Sequence, residues 1–62
     1  MFQYVIFKVD NKYYLYSVHN DFIVDWEYDF NKLFKEYVDF VQYQIKYCKI
    51  EQRQFALHIR RF

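Results

Sequence analysis

The chain has no glycine, no proline and no threonine, and only one serine, one alanine and one cysteine. Each of these gaps closes a route. Without glycine there is no phosphate-cradling loop, because such loops need backbone that meets a pyrophosphate with no Cβ in the way. Without threonine, Ser17 is the sole aliphatic hydroxyl, and no G-x-S-x-G elbow surrounds it. Cys48 has no second cysteine to pair with, so an intramolecular disulfide is excluded. His19 and His58 lie far apart with no soft ligand beside either, so no metal and no cofactor are expected. No run approaches the ~20 apolar residues of a membrane-spanning helix. Residues 1–7 are apolar, but Lys8 cuts them short of a signal-peptide core. A free thiol without a leader points to a reducing, cytoplasmic setting. The expectation is a protein that is not an enzyme, with no small-molecule substrate and no membrane partner.

What the chain does have is rings. Eight Phe, eight Tyr and one Trp make 27% of 62 residues. A single domain of this size buries only about 60% of the surface its unfolded chain exposes, whereas each ring offers roughly 150–250 Å² for burial. The rings exceed what one small interior can hide. Some of them are expected to meet a partner, most simply a second copy in a two-fold homodimer.

Phe, Tyr, Ile, Lys and Asn supply thirty of the residues, and their codons are built largely from A and T. That composition suggests an AT-rich genome such as that of a phage or mobile element. Net charge is +1, too small to demand a polyanionic partner, but it is unevenly spread. Residues 1–31 hold Lys8 and Lys12 against Asp10, Asp21, Asp25, Glu27 and Asp29. Residues 46–62 hold Lys46, Lys49, Arg53, Arg60 and Arg61 against Glu51 alone. The front is acidic and the tail basic.

The pattern predicts an α+β domain over 1–62: a three-stranded antiparallel meander followed by one long or broken C-terminal amphipathic helix. Residues 2–9 and 13–19 are rich in β-branched and aromatic side chains that suit strands. Asn11, the residue best able to turn left-handed where glycine is lacking, is expected to carry the hairpin. A loop of Asn11 and Lys12 sets Val9 opposite Tyr14 and Phe7 opposite Tyr16. Both faces of that hairpin are apolar, so both want cover. Phe22, Val24, Trp26 and Tyr28 alternate with Ile23, Asp25 and Glu27 as a third strand with one wet face. From Asp29 the period becomes helical, with Phe30, Leu33, Tyr37, Val41, Ile45 and Cys48 on one stripe that Phe55, Ile59 and Phe62 continue. Lys32–Glu36 and Lys35–Asp39 are spaced as helical ion pairs. Residues 51–62 alternate well enough to be a strand, but the helix-favouring run from Glu51 to Gln54 favours helix.

Three surfaces stand out. Phe40, Tyr43 and Tyr47 form an aromatic shoulder beside the main stripe, a candidate protein interface because tyrosine joins apolar area to a polar tip. On a continuous helix Lys35, Lys46, Lys49, Arg53 and Arg60 align as a basic stripe, a candidate nucleic-acid contact with tyrosines near to stack on bases. The plainer reading of that stripe is a solvated helix face. Asp25, Glu27 and Asp29 share a strand face where carboxylates can hold a hard cation, yet screened charge that discourages strand aggregation is the plainer role. Cys48 reads as a core filler. Function is therefore expected to be non-catalytic protein binding, as of a phage or mobile-element product that modulates a host protein. The alternatives are single-stranded nucleic-acid binding and a small structural subunit of a larger complex.

Overall fold

The computed structural model describes residues 1–60. The elements are β1 (Phe2–Val9), β2 (Lys12–Ser17), β3 (Phe22–Glu27), α1 (Phe30–Cys48), a 3-10 turn (Gln52–Gln54) and β4 (Phe55–Ile59). The sheet order is β3-β2-β1-β4. The first three strands form the expected antiparallel meander, and β4 joins β1 in parallel. The architecture is thus α+β with a mixed four-stranded sheet. The helix sits mid-chain rather than at the C-terminus.

The helix ends where the chain turns left-handed. Lys49 takes φ 57° and its N–H bonds the Gln44 carbonyl, a closure that normally falls to glycine. After it, residues 52–54 form one short turn and the chain becomes strand. This overturns the expected helical tail. The local helix preference of residues 51–54 yields to an open edge on β1, where Phe55 and Leu57 gain burial against Phe2 and Tyr4. The Phe62 end of the expected stripe lies outside the described residues.

The hairpin register also differs from expectation. Val9 pairs with Lys12, Phe7 with Tyr14 and Val5 with Tyr16, so Asp10 and Asn11 make the turn. Asp10, not Asn11, takes the positive φ, at 56°. The slip is two residues, so every side chain keeps its face. Asp21 at φ 58° supplies the third left-handed position in a chain without glycine.

One sheet face is covered. Tyr4, Ile6 and Leu15 from the sheet meet Leu33, Tyr37 and Val41 from α1, and Ile6 and Leu33 are fully enclosed. Full burial of such a side chain is worth about 1.5–3 kcal/mol. Rings extend this core edge to face: Tyr4–Tyr37 at 5.5 Å and Tyr13–Phe30 at 5.6 Å between centroids. Asp29 caps the helix, its carboxylate accepting the Asn31 N–H at 3.0 Å. The buried stripe stops at Val41. Cys48, expected in the core, is exposed, because the helix runs on past its last fully buried contact. No helix among the described residues is long and apolar enough to cross a membrane.

Candidate functional site

Among the described residues, nothing covers the face of the sheet opposite α1. Strand alternation sends Val5 and Phe7 of β1, and Tyr14 and Tyr16 of β2, away from the helix. The register places Trp26 of β3 beside Tyr14 and Ile23 beside Tyr16. Val5, Phe7, Tyr16 and Ile23 border a shallow depression of about 530 Å³ that also touches His58 and Arg60. Phe7 and Tyr14 stack at 5.5 Å. Lys12 lies over Trp26, 4.7 Å from the ring centroid, and Trp26 is 42% exposed. Tyr16 donates its hydroxyl to Asp21, and that bond raises the phenol pKa. The surface is apolar and aromatic in the middle, with basic groups at its border. From strand spacing and rise it measures roughly 400 Å² in projection, within the range of the largest apolar patch on an ordinary monomer, which is often functional.

A second feature lies on the covered side, at the β3 edge. A bulge opposite Leu15 and Tyr16 resets the alternation of β3, so Asp25 pairs with Leu15 and Glu27 with Tyr13 on the helix side. There they meet Glu36 of α1, with one carboxylate oxygen from each lying within 4.8 Å of the others. Asp29, the expected third member, leaves to cap the helix. Glu36 Oε2 is sealed from solvent with no donor. Hydrogen bonding to Asp25 and Glu27, with desolvation and their negative charge behind it, pushes the Glu36 carboxyl up to about 7. Lys32 reaches Glu27 at 3.6 Å rather than its expected helical partner Glu36, whereas Lys35 does pair with Asp39 at 3.0 Å. Chemically the triad can share a proton or hold a hard cation. Glu36 was legible only as a surface ion-pair residue, although its place between Leu33 and Phe40 put it on the inward arc.

The aromatic shoulder divides. Phe40 is half-buried, its ring 5.9 Å from Tyr4 and 6.4 Å from Phe55. Tyr43 and Tyr47 are 56% and 63% exposed and pack on each other at 4.7 Å, with Lys46 over Tyr47. They stand on the part of α1 beyond Val41. The basic stripe loses the continuous helix that would have aligned it. Lys35 and Lys46 remain on α1, Lys49 is its left-handed cap, Arg53 pairs with Glu51 at 2.6 Å in the following turn, and Arg60 follows β4 by the bare face.

Ser17 lies 3.4 Å from His19 Nδ1. It is fully enclosed and its hydroxyl accepts the Asn20 N–H at 3.3 Å, so it fastens the β2–β3 turn. His19 packs between the rings of Phe2 and Tyr4. A sealed hydroxyl has no route to a substrate. No family model, characterised protein or solved structure matches the chain.

Proposed function

We propose that this chain is a non-catalytic protein-binding module that docks a partner on the bare face of its sheet. One observation carries the reading: Phe7, Tyr14, Trp26 and Ile23 share a sheet face that no other layer covers among the described residues. Rings that exceed the core are where binding energy concentrates at protein contacts. The border of Lys12, His58 and Arg60 suits a partner with an apolar centre and acidic flanks. The exposed pair Tyr43 and Tyr47 offers a smaller second contact. A compact module of this kind fits a phage or mobile-element product that modulates a host protein.

The same face favours a second reading. Basic groups around exposed rings can hold a single strand of nucleic acid, with bases stacked on Tyr14 and Trp26. Against it, the bare face is mainly apolar, and Lys35 and Arg53 are already ion-paired.

The test uses wild type and a Phe7→Glu/Ile23→Glu double variant, both shown to be folded by circular dichroism. Immobilised wild type should retain a protein that the variant does not, and that protein once purified should bind wild type alone. An oligonucleotide titrated across a salt series should show no steep salt-dependent binding. Strong oligonucleotide binding that collapses as salt rises, with no protein separating wild type from variant, would replace this reading with the second one.

A further inference from the structure

The two outer edges of the sheet are built differently. β3 carries a bulge and turns Asp25 and Glu27 toward the helix side, devices that discourage another strand from pairing there. β4 carries neither. Its five residues, Phe-Ala-Leu-His-Ile, pair regularly with β1 and include no Lys, Arg, Asp or Glu. Alternate residues of a parallel strand turn their backbone groups to the same neighbour. The Arg60 N–H donates to the Ile6 carbonyl at 3.0 Å, so Ala56 and His58 also face β1. Leu57 and Ile59 present their N–H and C=O groups outward.

Beside this edge, on the helix side, lies an apolar cleft of about 610 Å³. Phe55 and Leu57 border it on the sheet, Phe34 and Val38 form its wall on α1, and Gln52 and Arg53 close one end. Phe34 and Val38 stay exposed beside the buried stripe of the helix. Among the described residues, nothing lines the cleft beyond β4.

We infer that β4 is a self-association edge, at which two copies of this chain pair β4 to β4 antiparallel about a two-fold axis through Leu57. This deepens the protein-contact reading by naming a second copy as one partner, at a surface separate from the bare face. The register is self-complementary. Leu57 meets Leu57, Phe55 meets Ile59 and Ala56 meets His58, so no charged residues are opposed within the strand. The outward groups of Leu57 and the outward Ile59 N–H gain ladder bonds, while the Phe55 N–H stays with the Gln52 carbonyl. A two-fold axis normal to the sheet keeps both helices on one side, so each copy supplies the missing wall of the other's cleft and covers Phe34 and Val38. A strand from a foreign protein would satisfy the backbone but would bring no second helix to close the cleft.

Sedimentation equilibrium over a wide concentration series tests this on wild type, Ile59→Pro and Ile59→Lys. The Ile59 N–H points away from β1, so proline there removes an outward donor and spares the internal ladder; lysine guards the edge by charge should proline disturb the strand. Wild type should form dimers, and each variant should raise the dissociation constant about ten- to a hundredfold, because a two-fold contact feels each change twice. The Leu57 and Ile59 amides should exchange slowly in concentrated wild type and fast in dilute. Trp26, on the far edge strand, should fluoresce identically at both concentrations. A wild type that stays monomeric throughout would overturn the inference, as would a dimer that survives both variants. So would a dimer that shields Trp26, which would have formed through the bare face. Protection of those amides only when a different protein is added would assign the edge to a foreign strand and equally overturn it. The bare-face reading fails on separate grounds, the loss of any partner that discriminates Phe7→Glu/Ile23→Glu.

Discussion

Replacing Glu36 by glutamine is expected to alter the pH dependence of stability more than the stability of the protein in acid. In the folded chain the Glu36 carboxyl sits against Asp25 and Glu27 and is raised from 4.5 to about 7. The folded state therefore holds its proton more tightly than the unfolded state does. That contribution is complete below about pH 4.5, declines as pH rises, and is gone above about pH 7. At about 1.4 kcal/mol per pKa unit the ceiling is roughly 3 kcal/mol. The cluster lies at the sheet edge, where water screens it and Lys32 offsets part of the charge, so about 1 kcal/mol is the working figure. For a domain of this size that corresponds to roughly 4–8 °C in melting temperature. Urea denaturation from pH 4.5 to 8 measures it. Wild type should lose about 1 kcal/mol relative to Glu36→Gln across this range, since glutamine keeps a donor and never ionises. Parallel pH profiles for the two proteins, or a wild type that gains on the variant as pH rises, would refute the carboxylate contact.

Lys49→Gly should stabilise the chain by about 1 kcal/mol, because Lys49 holds a left-handed helix cap that glycine occupies without steric cost; a melting temperature that does not rise counts against this cap. Ile6→Ala should cost about 2–5 kcal/mol, as Ile6 is fully enclosed. Its neighbour Phe7 points to the bare face, so Phe7→Ala should cost less than half as much in the same denaturation experiment. Tyr43→Ala with Tyr47→Ala should shift stability by only about 0.5 kcal/mol, the usual scale for exposed positions. A large loss would place the pair in the core.

The first three strands and the helix from Phe30 onward could be read directly from side-chain pattern. Residues 2–17 read as strands from their β-branched and aromatic content, and because the hairpin register slipped by two residues every side chain kept its face. Phe30, Leu33, Tyr37 and Val41 carried the helix by their spacing. What the pattern could not supply was competition between distant segments. Residues 55–59 are compatible with either helix or strand, and the open edge of β1, more than fifty residues earlier in the chain, decides the matter. Lys49 as a helix terminator gives no local cue, since lysine seldom holds that conformation. The basic stripe dissolved with the helix that was to display it. The carboxylate cluster was half legible: Asp25 and Glu27 stood out by spacing, while Glu36 joins them only through the packing of α1 on β3. The surplus of rings was visible from composition, but which rings stay outside depends on the one-sided cover that α1 provides.

The lone tryptophan gives the most direct measure of that one-sided cover. Trp26 lies on the uncovered sheet face at 42% exposure, so acrylamide should quench its emission readily in the isolated protein. Addition of the docked partner should protect it and move its emission to shorter wavelength, and Phe7→Glu/Ile23→Glu should abolish both changes. A tryptophan already shielded in the dilute, isolated chain, or one that stays fully quenchable in the bound complex, would contradict the assignment of this face as the binding surface.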